Sequence, residues 1–403
     1  MKKIIFITRC FNATYNTGAA RTVADAAFSL ANLGWHVHLV VGQGYQDRKD
    51  KLKNENTKGV FIHRIWTLDF PCTSSLRRVL NYFIFYLSCA YSLIRLVRSE
   101  DIVVVTTDPP LISVIVDVIV RLRGATLVNW LLDIYPEMAE RLGFRLAKGW
   151  RLHFLRFLRN ISWKNAKMNV VLGERMLDFV IEQGIPKNKI CIQPNWEDGT
   201  LIQGIDVDQD NALKKEWLLE DKFVIGYSGN MGRAYDFNTL LKVAKLLEIE
   251  EKIIFLFVGN GYYRPYIEEV ICKDNLKNVF LKPYQPPEKL KESLSIPHIH
   301  VLSTLTYLEG LLVPGKLYSA MAVGRPIIFI GDEQGEVART ITRFNCGRVV
   351  PIGDTQALIK MILMLYNDRS LCETFGRNAR LAFTQHFDKA IAMQRWHALL
   401  ESI

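Results

Sequence analysis

Short apolar runs alternate with helix-forming segments along most of the chain. Residues 3–8 are mostly apolar, residues 22–33 have a helical pattern that Gly34 ends, and residues 37–41 are apolar again. This alternation is typical of a parallel sheet covered by helices, in which ligands bind at the carboxyl ends of the strands. The sequence therefore predicts an α/β fold that opens with a Rossmann-like unit.

The length of the chain and one change in its composition indicate two such domains. With 403 residues the chain is too long for one ordinary core. A polar, Asp-rich stretch follows Pro194 and runs to Asn211, where it interrupts the alternation. We predict a first domain over residues 1–200, a second over residues 201–385, and a tail helix over residues 386–403.

The net charge of +10 calls for an anionic partner, which could be a nucleic acid, a phosphate-bearing substrate or an acidic membrane surface. No nucleic-acid-binding motif is present in the sequence. The seven cysteines are spread out without a C-x-x-C pair, which is typical of reduced thiols in a cytoplasmic protein. Met1-Lys-Lys precedes an apolar run of only four residues, too short for a signal peptide.

Two glycine-bearing loops follow apolar strands in the second half of the chain. In the first loop, Gly229 and Asn230 precede Arg233, and glycines there let backbone N–H groups turn toward one anion. The second loop is either another close approach to a nucleotide or a plain tight turn, and its candidate residues are Gly259, Gly261 and Arg264.

The stretch from Pro314 to Pro326 has the pattern of a loop, a short helix and a turn before the next apolar run. Lys316 is expected at or just before the amino end of that helix, where free N–H groups and the helix dipole favour phosphate. The alternative is a solvated lysine on a surface turn.

Two candidates lie in the first half. Gly18 is in the loop after the first strand, where it either faces a donor or serves as a turn glycine; because G-x-G-x-x-G is missing, a dinucleotide oxidoreductase has little support. Asp133 follows an apolar strand and precedes a proline, a position suited to acceptor chemistry or to capping a helix.

Two segments raise the question of a membrane. Residues 79–94 carry no charge, are flanked by arginines, and are shorter than the roughly twenty residues of a bilayer span, so they predict either a core helix or a helix that dips into one leaflet. Residues 141–168 mix basic and aromatic residues without an acidic one, which favours an anionic bilayer surface over a solvated helix. The residues expected to face the membrane are Arg151, Arg156 and Arg159.

Motifs along nearly the whole chain resemble the fourth family of retaining glycosyltransferases, in its bacterial O-antigen, capsule and exopolysaccharide branch. They are Asp133-Ile-Tyr-Pro-Glu, Pro194-Asn-Trp, Tyr227-Ser-Gly-Asn-Met-Gly, Val258-Gly-x-Gly, Pro314-Gly-Lys-Leu-Tyr and the Gly-x-x-Ala-Arg of residues 376–380. The resemblance implies a GT-B fold, with two Rossmann-like domains facing a deep cleft. It also implies that the first domain binds the acceptor, the second binds the nucleotide-sugar, and the C-terminal tail helix crosses back to pack on the N-terminal domain.

The resemblance further assigns roles to single residues. Gly229 and Asn230 match the loop that faces the donor pyrophosphate, Lys316 matches the lysine that pairs with it, and Arg233 is a further candidate. These groups would stabilise the charge on the leaving nucleoside diphosphate, so neither a divalent metal nor another cofactor is expected. His298 and His300 alternate on a strand and are expected to be packed or solvated, and no metal site is predicted.

The chain departs from the family at its paired glutamates, which are commonly separated by seven residues. Aligned on the segment before Pro326, Ser319 occupies the second place and Glu309 stands two positions from the first. Glu309 is therefore expected to reach the donor sugar, and ribose binding falls to Ser319 or Glu336.

Three functions follow. The first is a retaining transferase of hexosyl or N-acetylhexosaminyl type, peripheral at the inner face of the plasma membrane. It would move a sugar from a nucleotide-sugar, UDP-linked by family habit, to a polyprenyl-diphosphate-linked or other saccharide acceptor. The second is a non-hydrolysing sugar-nucleotide epimerase. The third is a non-catalytic partner that binds sugar nucleotides.

Overall fold

The computed structural model describes residues 2–9, 19–42, 55–67, 75–144, 148–204 and 211–403. The chain divides into two compact units, each with its own sheet. Unit 1 comprises Met1–Pro194 with Met393–Ile403, and unit 2 comprises Asn195–Ala392. The sequence placed the domain junction at residue 200 and the start of the tail at residue 386.

Within the described ranges, unit 1 is built on an eight-stranded sheet in the order β3-β4-β2-β1-β5-β6-β7-β8. The β3–β4 pair is antiparallel and the other neighbouring strands are parallel. The central strands are buried on both faces, as expected where helices cover a parallel sheet. The strands are β1 (Lys3–Thr8), β2 (His36–Gly42), β3 (Glu55–Thr57), β4 (Val60–Ile65), β5 (Ile102–Thr106), β6 (Thr126–Trp130), β7 (Met168–Val171) and β8 (Ile190–Ile192).

The helices of unit 1 connect these strands. One apolar cluster joins α2 and α3 to the sheet through Phe85, Cys89 and Val116, all buried. The ring of Trp396, near the chain terminus, lies 4.6 Å from that of Trp130. The helices are α1 (Ala19–Asn32), α2 (Ser75–Leu96), α3 (Ile112–Arg123), α4 (Glu137–Arg141), α5 (Trp150–Asn165) and α6 (Glu174–Glu182).

Unit 2 is built on a six-stranded sheet in the order β11-β10-β9-β12-β13-β14, with every pair parallel. The order reverses direction at β9 and β12, so the loops after these two central strands lie at the switch point where open α/β sheets bind ligands. The strands are β9 (Phe223–Ser228), β10 (Ile253–Val258), β11 (Val279–Lys282), β12 (Ile299–Ser303), β13 (Ile327–Ile330) and β14 (Gly347–Val350).

The core of unit 2 is rich in aromatic rings. Tyr227, Phe237, Phe255 and Phe257 are buried beneath the helices. The helices are α7 (Ala212–Glu216), α8 (Asn238–Leu246), α9 (Arg264–Asp274), α10 (Leu290–Ser295), α11 (Lys316–Ala322), α12 (Glu336–Phe344), α13 (Thr355–Asn367), α14 (Arg369–Ala382) and α15 (Lys389–Glu401), the last of which belongs to unit 1 from Met393 onward.

The basic residues of α5 differ from the expectation that they face a membrane. Arg159 is buried, pairs with Glu137 and lies 4.0 Å from the ring centre of Trp163, so its prediction as a membrane-facing residue is wrong. Arg156 is half-buried between Glu137 and Glu140, at 2.9 and 2.7 Å. Both arginines turn inward because α4, just before this segment, supplies the carboxylates. Arg151 is exposed.

Candidate functional site

The side chain of Lys316 lies between two tyrosines of unit 2. Its Nζ donates a hydrogen bond to the hydroxyl of Tyr227 at 2.5 Å and lies 3.2 Å from the ring centre of Tyr235. The Tyr227 hydroxyl in turn donates to the carbonyl of Asn230 at 2.8 Å. Lys316 is the first residue of α11, as its sequence context predicted. The ammonium is thus held by one hydroxyl and one aromatic face.

The surroundings of Lys316 disfavour its charge. Burial lowers the pKa of its ammonium well below the usual value of a lysine. The aromatic face of Tyr235 offsets part of that loss by a cation–π contact. An anion that reached Nζ would favour the charged form again, so the site is suited to a ligand that carries negative charge.

Three glycines bring the two predicted loops against Lys316 and against each other. Gly229 has φ +125°, and a Cβ there would lie 3.0 Å from Cε of Lys316. A Cβ on Gly259 would lie 2.1 Å from the carbonyl oxygen of Gly229, and one on Gly261 would lie 2.6 Å from Oδ1 of Asn230. The close backbone approach therefore requires glycine at all three positions.

The two predicted donor-binding arginines have different surroundings. Nη1 of Arg264 donates to the carbonyl of Gly259 at 2.8 Å, and its Nε pairs with Glu268 at the same distance. Arg264 thus holds the second glycine loop in place. Arg233 is exposed, with its guanidinium 3.9 Å from the ring centre of Tyr262, and its charge is accessible to a ligand.

Glu309 and Glu336 are brought together at the start of α12. Oε1 of Glu309 accepts a hydrogen bond from the backbone N–H of Glu336 at 2.8 Å. A Cβ on Gly335 would lie 2.6 Å from the other Glu309 oxygen. The carboxylate of Glu309 therefore caps a helix whose dipole favours negative charge there.

Ser319 has a partner that the sequence did not suggest. Its hydroxyl donates to Oε2 of Glu197 at 2.9 Å, while Oε1 of Glu197 accepts from the backbone N–H of Asp198 at 3.1 Å. A carboxylate therefore reaches the place where the family has a glutamate, but it comes from a different part of the chain. The sequence feature that could have pointed to Glu197 is the motif Pro194-Asn-Trp, which directly precedes it.

In unit 1, Asp133 follows β6 beside the loops of two neighbouring strands. Its backbone N–H donates to the Thr107 hydroxyl at 3.1 Å, after β5. Burial, and then the charge of Asp108, raise the pKa of Asp133 to about 6. Asp108 itself pairs with Arg9, after β1, at 3.2 Å. Gly18, the other candidate in this half, lies outside the described residues.

Two family models match the chain in succession. The glycosyl transferase 4-like domain matches residues 17–196, and the model for glycosyl transferases group 1 matches residues 208–382. The chain belongs to the glycosyltransferases. The two matches confirm the family that the motifs of this glycosyltransferase resemble, and the enzyme class that the resemblance implied.

Relatives of this glycosyltransferase include WbjE of Pseudomonas aeruginosa, provisionally named a glycosyltransferase, which is 23% identical over 314 residues, 76% of either chain. WcaI of Escherichia coli, provisionally named a colanic acid biosynthesis glycosyl transferase, is 25% identical over 344 residues, 81% of this chain and 83% of that protein. Among solved structures, Anabaena HepE in complex with UDP-glucose aligns over 100% of both chains with TM-score 0.74 and 14% identity. That likeness confirms the GT-B fold.

Proposed function

We propose that this glycosyltransferase moves a sugar from a UDP-sugar to a lipid-linked saccharide acceptor in surface polysaccharide biosynthesis, with retention of the anomeric configuration. The observation that carries the proposal is the position of Lys316, whose side chain lies directly against the Gly229 backbone in unit 2. A partly desolvated ammonium beside a glycine turn is suited to a diphosphate.

A second observation supports a phosphate-bearing ligand at this place. The hydroxyl of Ser228, next to Gly229, is buried and has no hydrogen-bond partner within the described part of the chain. Buried hydroxyls are nearly always satisfied, so a bound ligand is the natural partner for this one. HepE, a structural neighbour, binds UDP-glucose, which favours uridine as the base of the donor.

The ribose and the sugar of the donor are proposed to be bound by acidic groups of unit 2. The Ser319–Glu197 pair offers a hydroxyl and a carboxylate oxygen in place of the family's second glutamate. Glu336 is the other candidate for the ribose, and Glu309, which caps its helix, is the candidate for the sugar.

The reaction needs charge stabilisation more than it needs a protein nucleophile. As the bond from the anomeric carbon to the donor phosphate breaks, the acceptor oxygen forms its bond from the same face, and its proton passes to the departing phosphate. Lys316 and Arg233 supply positive charge to that diphosphate, so the transfer is proposed to proceed without a divalent metal. In unit 1, Asp133 is proposed to accept a hydrogen bond from the acceptor hydroxyl.

The acceptor is proposed to be linked to a polyprenyl diphosphate. WcaI is named for colanic acid biosynthesis, and the motifs of the chain resemble the O-antigen, capsule and exopolysaccharide branch of the family. The excess of basic residues in the chain agrees with an acceptor that carries a diphosphate and with an anionic membrane around it. We place the enzyme at the inner face of the plasma membrane.

A panel of nucleotide-sugars tests the donor. Thermal unfolding of the wild-type protein is measured with UDP-, GDP- and dTDP-sugars, because a ligand that binds only the folded form raises the melting temperature. UDP-sugars are expected to give the largest rise, and Lys316→Ala is expected to abolish it. Comparison of UDP with 2′-deoxy-UDP tests the ribose assignment.

Transfer itself is followed by NMR with the preferred donor and a lipid-linked saccharide, in the presence of EDTA. An anomeric coupling in the product that matches the donor supports retention, and inversion contradicts it. Conversion of the UDP-sugar without any acceptor would instead identify an epimerase. Binding of a donor without turnover on any acceptor would indicate a non-catalytic partner.

A further inference from the structure

Helix α2 presents an apolar row to the solvent. Its buried side is formed by Phe85, Cys89 and Leu93, which join the core of unit 1. The opposite side, where a helix of this kind is normally polar, carries apolar side chains that are 43% to 59% exposed. They are Val79, Leu80, Phe83, Leu87, Tyr91 and Ile94.

Helices α2, α3 and α5 lie side by side on the same face of the sheet. The hydroxyl of Tyr86 donates to the carbonyl of Pro110, and the guanidinium of Arg123 to that of Ile94, so α2 and α3 run in the same direction. The Ser162 hydroxyl of α5 donates to a carbonyl of α3 at 3.1 Å. These three helices form one outward layer.

The apolar row continues across this layer. Leu122 of α3 is 81% exposed, and Val118 lies one turn before it. On α5, Trp150, Phe154 and Phe157 are exposed at helical spacing. The outer face, defined here as these five side chains together with the row on α2, is an exposed apolar surface of the kind that marks an interaction site.

The charge of the layer identifies the partner. The sequences of α2, α3 and α5 hold nine basic residues, of which Arg156 and Arg159 pair with glutamates of α4, and a single carboxylate, Asp117. Asp117 is buried and paired with Arg121. Exposed arginines border the row on α2, with Arg77 at one end and Arg95 and Arg98 at the other. Apolar side chains bordered by arginines fit the interface of an anionic bilayer.

A span across the bilayer does not fit the connections of α2. The segment Val79–Leu96 is long and apolar enough to cross a membrane, and only 22% of it is buried. However, α2 joins β4 to β5, which belong to the same sheet, and its other side packs in the core of that unit. The helix can therefore remain in the fold only by lying along the interface.

We propose that the outer face of α2, α3 and α5 rests on an anionic lipid bilayer, with the helices parallel to its surface. The row from Val79 to Ile94 would extend about 22 Å along that surface. This inference extends the proposed function by naming where the enzyme meets the membrane of its lipid-linked acceptor. It corrects the sequence-based assignment, because Arg159 turns inward and α2 carries the longest part of the surface.

Vesicle sedimentation tests the proposal on the full chain without donor or acceptor, so its outcome is independent of any transfer activity. The wild-type protein is expected to sediment with vesicles that mix phosphatidylcholine and phosphatidylglycerol, and much less with phosphatidylcholine alone. The double variant Phe83→Gln/Leu87→Gln is expected to bind at least about tenfold more weakly than the wild type, because both apolar side chains insert into the bilayer. Leu246→Gln/Ile249→Gln, an apolar pair in unit 2 that is 54% and 84% exposed against 55% and 57% for Phe83 and Leu87, is the matched control.

The charge is tested separately. Arg95→Gln/Arg98→Gln is expected to weaken binding by about fivefold for each charge removed, and added salt is expected to have the same effect. Lys242→Gln/Lys273→Gln, two exposed cations of unit 2, should leave binding unchanged. Thermal unfolding of each variant verifies that the fold is intact.

Three results would overturn the proposal. One is that the wild-type protein binds neither kind of vesicle. The second is that both apolar double variants bind as well as the wild type does. The third is that the wild type forms a dimer, and that Phe83→Gln/Leu87→Gln disrupts this dimer without changing vesicle binding. The outer face would then be the contact surface between two copies of the chain.

Discussion

Nζ of Lys316 lies 2.5 Å from the hydroxyl of Tyr227, although the two residues are 89 positions apart in the chain. The same hydroxyl fixes the carbonyl of Asn230, so one phenol connects the lysine to the first glycine loop. The lysine and the loop are therefore positioned as one unit before a donor arrives. This arrangement is the basis of the predictions for unit 2.

Tyr227→Phe removes the hydroxyl but keeps the ring. Nζ of Lys316 then loses the hydroxyl that accepts its hydrogen bond, and the Asn230 carbonyl loses a donor. We therefore expect UDP to bind about tenfold more weakly, the effect of one hydrogen bond to a charged group. The measurement is titration calorimetry with UDP. Tyr266→Phe removes a phenol that bonds to Asn238 instead, and it should bind UDP like the wild type. Equal affinity in both variants would contradict the role of Tyr227.

Gly229→Ala should abolish donor binding. The new methyl group would lie 3.0 Å from Cε of Lys316, on a backbone with φ +125°. Gly353→Ala is the matched control, because Gly353 has φ +86° and no atom within 4 Å of the added Cβ. Both variants should lose about 1 to 3 kcal/mol of stability through backbone strain, but only Gly229→Ala should lose UDP binding. Loss of binding in both would show that strain alone is responsible.

The pH dependence of transfer should reflect Asp133. Burial and the charge of Asp108 raise its pKa to about 6, so the carboxylate that accepts a hydrogen bond from the acceptor is lost as the pH falls through that value. Asp133→Asn should remove this acid limb from the profile of kcat/KM and lower its plateau. Asp108→Asn removes the second cause of the shift and should move the limb to lower pH. If neither variant changed the acid limb, Asp133 would not be the group whose titration causes it.

The same shift has a consequence for stability. A carboxyl whose pKa is raised in the folded state binds its proton more tightly there than in the unfolded chain. Its contribution to stability is therefore largest below its ordinary pKa of 3.8 and is lost as the pH rises to about 6. Asp133→Asn should lack this decline, which denaturant unfolding at several pH values can measure.

The inward turn of Arg159 predicts a large difference between two arginines of one helix. Arg159→Gln leaves the buried carboxylate of Glu137 with Arg156 alone, and it should destabilise unit 1 by about 3 kcal/mol, the low end for a broken buried pair. Arg151→Gln, on the exposed side, should change stability by less than about 0.5 kcal/mol. Urea unfolding monitored by circular dichroism compares them. Similar values for both would contradict the buried pair.

The sequence predicted the features that are local in the chain. The strand over Lys3–Thr8, the glycine loops at strand ends and the start of α11 at Lys316 all follow from apolar periodicity and from glycine and proline positions. The fold class followed from their alternation, and the family from the motifs that these loops carry.

What the sequence could not supply are partners that come together only in the folded chain. Ser319 and Glu197 are 122 positions apart, so the replacement for the missing glutamate was not evident. The segment 141–168 has no acidic residue of its own, but Glu137 lies just before it and pairs with Arg159. Helix α2 is apolar on all sides, and periodicity could not show which side faces solvent.

Titration of UDP into the wild-type protein and into Lys316→Met tests the central claim most directly. Because burial lowers the pKa of Lys316 and a bound diphosphate raises it again, binding measured at increasing pH, up to the ordinary lysine pKa of about 10.4, should take up protons. The measured heat should then vary with the ionisation enthalpy of the buffer. Lys316→Met should bind at least about tenfold more weakly, without proton uptake, and should unfold at a temperature no lower than that of the wild type. If Lys316→Met instead bound UDP with unchanged affinity and the same buffer dependence, the diphosphate would not be held by this lysine.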